Sequence, residues 1–517
     1  YDANNPPTGD LISATMKQDS SGTVDISFTA DDADDDNLRA KIEYVAGDSC
    51  DFSSPLDPTL DETDATATST STVDPKVDNN HPYQVGTSTG WINTSEGQNT
   101  ISFDWLTKSD IDNQDGTYCI RLTVNDQEED ATTLSTTTVF IDNKAPTQPG
   151  ELSEWGTSTK STIDLEFGAT STDPNFYEYK IFYATSTPVD ESDYVLSSST
   201  DANLGDVTFN GVATTSISGL LEDETYYFAI WAYDKYGYVS SSSEVAITTN
   251  KTPYSEFNLV KQRADGSGIV DIEFDIDDLN NDDTRLKFEY VLGADCNFAS
   301  PLDPTLDETQ VNIGSTHGLP KIENDNTYQI GNSGGWVTTP ATNTIAFDWL
   351  SYIDEVSADD IYCLRLTAND QADDQNTPAT TTLVLDNLDP TVPGDLSAFD
   401  ISTSTIALAF GATSTETNFK EYKIYYKEGS SGVTESDSVI SSSTDTNLGD
   451  VLFNDAATTT LYNLDPNTQY VFNIWVYDDY GNIASATEVV IQTDALVSNE
   501  SLTLSNPETM NYVVADG

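Results

Sequence analysis

Positive charge is what this sequence has least of: 20 Lys and Arg stand against 88 Asp and Glu, a formal net charge of −68. A surface of that sign repels phosphate backbones and anionic lipid and attracts metal cations, which excludes nucleic acid as a partner. A salt-adapted surface has the same composition, so acidity alone does not separate that adaptation from calcium use. Histidine is nearly absent, with two in 517 residues. Neither His81 nor His317 accompanies a zinc spacing or a nucleophile motif, so the commonest catalytic base and metal ligand of enzymes is missing. No apolar run approaches the roughly 18 residues that cross a bilayer, so no direct membrane insertion is expected in this segment. Sustained helical periodicity is absent too. The chain begins at Tyr1 without an initiator Met or a basic leader and stops at Gly517 without an obvious terminus, the expectation being a processed product or a piece of something longer.

What is present is repetition. Offset against itself by roughly 245 residues, the chain superposes SFTADDADDDNLRAKIEYVAGDSC on EFDIDDLNNDDTRLKFEYVLGADC, then NTISFDWL on NTIAFDWL and YCIRLTVNDQ on YCLRLTANDQ. The correspondence runs on through NFYEYKIFY with NFKEYKIYY and FAIWAYDKYG with FNIWVYDDYG. This is a duplicated two-module unit: a cysteine-containing module over 1–144, a second module over 145–250, and their repeats over 251–388 and 389–495. Val24, Ile26 and Phe28, then Ile101, Phe103 and Trp105, then Tyr118, Ile120, Leu122 and Val124 alternate with other residues, the period of half-buried antiparallel strands. The expected fold class is all-β, a tandem array of four antiparallel β-sandwiches.

The second modules resemble fibronectin type III domains. The residues that carry the resemblance are APTQPGEL or DPTVPGDL, IDLEFGAT or IALAFGAT, EYKIFY or EYKIYY, and Leu220 with Tyr226 or Leu464 with Tyr470 ahead of FAIWAYD or FNIWVYD. The resemblance implies a tyrosine corner at Tyr226 and Tyr470, each hydroxyl satisfying backbone groups where the chain turns between sheets. Phe167 and Phe410 stand where the family usually has a core Trp. The cysteine modules, with ADDADDDN after a strand and a closing Asp-Asn two residues before Pro, resemble bacterial immunoglobulin-like, cadherin-like and PKD-like surface domains. That resemblance implies a sandwich and a role for calcium.

Cys50 with Cys119, and Cys296 with Cys363, occupy matching positions of the two copies and read as two intradomain disulfides of an oxidising compartment, hence an extracellular or cell-surface location. Cys119 is out of phase with Tyr118, Ile120 and Leu122, so its bridge is expected on the outer face of the sandwich, pinning the excursion 50–99. That excursion opens with SPLDPTLDET, which recurs unchanged at 54–63 and 300–309. Its prolines fix the backbone and Leu56 and Leu60 are placed to clamp it. It reads as a rigid plug or as a repeated contact surface for a neighbouring subunit or carbohydrate. Trp91 and Trp336, each after glycine, read as caps on a sheet or as platforms for stacking sugar.

Calcium is the chemistry the acidic residues fit best, because a hard cation takes six to eight oxygens from closely spaced carboxylates and carbonyls. Candidate ligands are Asp31, Asp32, Asp34, Asp35 and Asp36, matched by Asp277, Asp278, Asp282 and Asp283, and, in DIDNQDG, Asp110, Asp112 and Asp115. At the module boundaries stand Asp142 and Asn143 before Pro146, and Asp386 and Asn387 before Pro390, where an ion would stiffen the joint. Asp126 with Glu128, Glu129 and Asp130, against Asp370 with Asp373 and Asp374, adds a strand-end group. Asp234–Gly237 and Asp478–Gly481 read as hairpin turns with glycine at positive φ. The competing reading of any one cluster is a solvated turn.

These readings converge on a non-catalytic extracellular structural protein of a microbial surface, a filament, surface-layer or adhesive-stalk subunit that self-associates into a polymer or lattice. A carbohydrate-binding or spacer region of a secreted glycan-degrading enzyme is the alternative. Residues 496–517, with strand-like SLTL and MNYVV, read as a donor strand for the next subunit or as the start of a further module.

Overall fold

The computed structural model describes residues 4–62, 67–71, 73–87, 90–309, 315–318, 320–332 and 335–497. The expected donor strand therefore lies almost wholly outside the described residues. The chain divides into two compact units, Tyr1–Asn250 and Lys251–Gly517, each built of two sandwiches.

In the first unit, β1 (Thr8–Met16), β2 (Thr23–Asp31), β5 (Asn99–Leu106) and the short β4 (Thr68–Ser69) form one antiparallel sheet in the order β1-β2-β5-β4. β3 (Arg39–Ala46), β6 (Asp115–Asn125) and β7 (Ser135–Asp142) form the other, in the order β3-β6-β7. The alternation seen in the sequence is the reason. Val24, Ile26, Phe28, Ile101, Phe103, Trp105, Ile120, Leu122 and Val124 all point into one shared core, while their alternates face outward.

The disulfides form as the phase of Cys119 requires. Cys50 is joined to Cys119 and Cys296 to Cys363, and Cys119 is buried outside the inter-sheet core that takes its neighbours Tyr118 and Ile120. On the same outer face Arg121 donates to Glu43 Oε2 at 3.0 and 2.5 Å and stacks against Phe52 at 4.4 Å.

The repeated loop is a plug held by polar contacts. Leu60 is buried in the core, and its backbone exchanges hydrogen bonds with the Asn79 side chain at 3.0 and 2.8 Å. Leu56 departs from expectation: it is 58% exposed, because it ties down through its backbone, exchanging N–H and C=O with Tyr44 at 3.0 and 2.8 Å. Leu306 and Leu302 repeat the pair, buried and exposed respectively.

The second sandwich of the unit has the sheets β12-β9-β8 and β11-β10-β13-β14, with β15 also on β13: β8 (Ser153–Glu154), β9 (Thr162–Glu166), β10 (Phe176–Ala184), β11 (Tyr194–Leu196), β12 (Thr214–Ser218), β13 (Thr225–Asp234), β14 (Val239–Ser241) and β15 (Val245–Thr248). Tyr226 makes the expected corner, its hydroxyl accepting from Leu221 N at 3.0 Å, as Tyr470 does from Asp465 N at 2.9 Å. Phe167 fills its share of the core by stacking on Phe209 at 4.1 Å, and Phe410 does the same on Phe453. The second unit repeats this architecture, except that no counterpart of β4 is present among the described residues, and it has cores of its own.

Candidate metal centre at the module junction

Within each unit the two sandwiches meet through the hairpin after β13. Ser20 N donates to Tyr236 O at 2.8 Å, and Tyr238 packs into the core of the cysteine-bearing sandwich, its hydroxyl donating to Asn143 Oδ1 at 3.1 Å. In the second unit Gly266 N donates to Tyr480 O at 3.0 Å and Asn482 Nδ2 to Asp386 O at 3.0 Å. The hairpin reading of Asp234–Gly237 holds: Asp234 Oδ1 accepts from Tyr236 N and Tyr238 N at 2.8 and 2.9 Å, and Gly237 has φ of 89°.

That docking brings three carboxylates together. Asp142 comes from the end of β7, Asp173 from the loop before β10 and Asp234 from the end of β13, and one oxygen of each lies within 4.8 Å of the others. Asp386, Glu416 and Asp478 form the same triad in the second unit. The two copies differ in residue type at the middle position, Asp173 against Glu416, and keep the carboxylate. Asp142 and Asp234 are buried, as are Asp386 and Asp478. Asp142 Oδ2 accepts from Asn175 Nδ2 at 2.6 Å, and Asp386 Oδ2 from Asn418 Nδ2 at 2.8 Å. Asp234 Oδ2 is buried and accepts no hydrogen bond among the described residues.

Burial pushes the Asp234 carboxyl up to about 6, with the charges of Asp142 and Asp173 adding to it. Burial also raises Asp173, helped by Asp142 and Asp115. Asp386, Glu416 and Asp478 are raised by burial in the same way. Buried like charges of this kind are stable only when protonated or when a cation neutralises them. The donor set is all oxygen, as a hard divalent cation requires, and the orphaned Asp234 oxygen is a position such an ion would fill.

The sequence points to one carboxylate of each triad. Asp142, Asp386 and Asp115 belong to it or beside it, Asp115 lying opposite Asp142 in the β6–β7 register. The neighbouring asparagines do not, because their polar atoms are already spent. Asn143 Nδ2 donates to Thr107 Oγ1 and Ile111 O at 2.9 and 2.8 Å. Asn387 Nδ2 donates to Glu355 O at 2.9 Å, and its Oδ1 accepts from Gln262 Nε2 at 3.0 Å.

DIDNQDG is not drawn into one ligand set. Asp110 Oδ2 accepts from Thr59 N at 2.7 Å and Trp105 Nε1 at 2.6 Å, while Oδ1 accepts from Thr59 Oγ1 at 2.6 Å, so Asp110 latches the repeated loop. Asp354 holds Thr305 and Trp349 identically. Asp112 is exposed in the turn that follows. Asp173, Glu416, Asp234 and Asp478 are not among the candidate ligands the sequence offers, since only the docking of two modules brings them together.

In the ADDADDDN segment, Asp32 and Asp278 are buried, whereas Asp34, Asp35 and Asp36 are exposed and Asp31 and Asp277 lie half-buried at strand ends. Asp34 accepts from Asn5 N at 2.7 Å, and Asp277 from Thr342 Oγ1 at 2.8 Å. Trp91 and Trp336 are half-buried, each leading into a buried residue, Ile92 and Val337, that bridges to the strand region at Leu38 and Thr284.

Residues 390–492 match the family model of the fibronectin type III domain. No curated protein matches the chain. Among solved structures, it is similar to the FN1–FN3 domains of chicken CNTN1, at 15% identity and a TM-score of 0.25, covering 68% of this chain and 99% of that one. It is also similar to a three-domain segment of titin, at 12% identity and a TM-score of 0.25, covering 66% and 97%. The fold is a tandem array of antiparallel β-sandwiches, of which the one over residues 390–492 matches the fibronectin type III model. No helix among the described residues is long and apolar enough to cross a membrane, and the two disulfides are compatible with a secreted or extracellular protein.

Proposed function

We propose that this chain is a non-catalytic structural spacer of a microbial exterior, a subunit of a filament, surface layer or adhesive stalk, in which calcium locks each cysteine-bearing sandwich to the fibronectin-type sandwich that follows it. One observation carries the reading. A triad of carboxylates from three separate segments converges within 4.8 Å at the junction of two modules, and does so in both copies. An ion there bridges Asp142 of one sandwich to Asp173 and Asp234 of the next, so its binding energy opposes bending of the joint. Rigid, covalently stapled modules with neutralised joints suit a load-bearing role, and self-association into a polymer is the form that role takes on a cell surface.

The test is limited proteolysis with thermal melting of the full chain, with millimolar calcium and with chelator. Calcium is expected to raise the melting temperature and to protect the linkers around 144–147 and 388–391 from cleavage. Asp234→Asn combined with Asp478→Asn is expected to abolish the protection. Cleavage and melting that are the same in both conditions would overturn the reading.

A further inference from the structure

A second kind of buried, unanswered carboxylate lies elsewhere in each cysteine-bearing sandwich. Asp278 is 1% exposed and Asp32 is 4% exposed. Each spends one oxygen on its own loop: Asp278 Oδ1 accepts from Asn280 N at 2.8 Å and Asp282 N at 3.4 Å, and Asp32 Oδ1 from Asp34 N and Asp36 N at the same two distances. The other oxygen, Oδ2, is buried in both and accepts no hydrogen bond among the described residues. One such orphan is an anomaly; the same orphan in two copies whose loop sequences differ (DDADDD against DDLNND) is a feature.

The charges felt by that buried carboxylate come from two loops. Asp370 and Asp282 act on Asp278, and Asp36 and Asp126 act on Asp32. The loops are tied to one another, Gln371 Nε2 donating to Asp283 O at 3.0 Å and Gln127 Nε2 to Asn37 O at 3.0 Å. Arg285, the cation on the adjoining strand, is committed to Asn369 Oδ1 at 2.8 Å and to the Tyr328 ring at 4.2 Å. Arg39 does likewise with Asn125 and Tyr83.

We propose that Asp278, Asp282 and Asp370, and their counterparts Asp32, Asp36 and Asp126, each form a second calcium site, at the pole of the cysteine-bearing sandwich opposite the junction triad. β1 measures the separation. Its first residue, Thr8, is level with Asp31, and its last, Met16, receives the Asp142 N–H on its sulfur at 3.0 Å. Eight steps of extended chain put the two poles roughly 26 Å apart. The distal site sits where the chain enters the module: Asn4 Nδ2 donates to Asp126 Oδ2 at 2.8 Å and Asn5 N to Asp34 Oδ2 at 2.7 Å. An ion at this pole therefore fixes the incoming segment, as the junction ion fixes the outgoing one. This proposal stands apart from the junction reading, since it uses other residues.

Equilibrium dialysis of the full chain against radioactive calcium, over roughly 0.1 to 5 mM to span the affinity of extracellular sites, tests it. Asp32→Asn with Asp278→Asn is expected to lower saturation by two ions per chain, and to do so equally when Asp234→Asn and Asp478→Asn are also present. The same distal pair is expected to melt no lower than the parent in chelator, because it removes an unpaired buried charge, yet to gain less from calcium. If that pair fails to fold, Asp36→Asn with Asp282→Asn takes its place. Unchanged stoichiometry in a folded distal variant overturns the proposal; loss of ions from the junction variant alone overturns it as well.

Discussion

A buried carboxylate with no cation beside it titrates backwards from the usual surface acid. Asp234 and Asp278 are each pushed up to about 6 from an ordinary 3.8, by burial first and neighbouring acids second. Asp173, Asp386, Glu416 and Asp478 shift in the same direction. Between these two values the folded chain holds protons that the unfolded chain has lost, so stability falls as pH rises through the window and is regained on acidification. Glu43 runs the other way: burial would raise it, but hydrogen bonds from Lys41 and Arg121 hold it low, and its contribution is lost only at more acid pH. In chelator, calorimetry is thus expected to show the melting temperature rising as pH drops from about 7 to about 5. In millimolar calcium it is expected to fall over the same interval, because protonation now expels the ion. A melting temperature that drops with acid in both conditions would mean that Asp234 and Asp278 are not the unneutralised groups described.

At the level of elements, legibility tracks how local each determinant is. The strands and the outward phase of Cys119 follow from spacing within a few residues, and the tyrosine corner from the fibronectin type III resemblance; all are where they are expected. Asp110 is otherwise: its donors Thr59 and Trp105 precede it by 51 and 5 residues, and Asp-rich spacing gives no sign that so distant a loop would take its oxygens. The hairpin after β13 shows the limit most sharply. Its turn chemistry was plain, but Asp234 and Asp478 have a second role that exists only once another module packs on the turn. The packing is close. A Cβ on Gly481, whose φ is 89°, would lie 2.5 Å from Gly266 N and 2.7 Å from Ala264 O, both backbone atoms. Gly481→Ala is therefore expected to destabilise the second unit by at least about 1 kcal/mol, through positive-φ strain and loss of docking. Denaturant unfolding of the variant against the parent measures it, and an equal midpoint would show that the hairpin docks loosely.

For the whole molecule, duplication makes each unit an internal control on the other. The copies have drifted at many positions, yet the joint keeps a buried carboxylate triad, a hairpin glycine and a backbone hydrogen bond from the loop after the first strand to the hairpin tyrosine. Two sandwiches with separate cores unfold as one only when the interface between them contributes enough free energy to make the half-folded state rare. Here Tyr238 packs across the joint in the first unit, but like-charged carboxylates converge there in both copies, and on the proposed reading calcium neutralises them, so coupling is expected to depend on calcium. In calcium, calorimetry should show each unit melting cooperatively, with a van't Hoff enthalpy close to the calorimetric one for the pair. In chelator, the cysteine-bearing and fibronectin-type sandwiches should melt as separate transitions, and Asp142→Asn with Asp386→Asn should reproduce that separation even with calcium present. Transitions that stay equally coupled throughout would assign the joint to the packing of Tyr238 and the hydrogen bond of Asn482, and take calcium out of it.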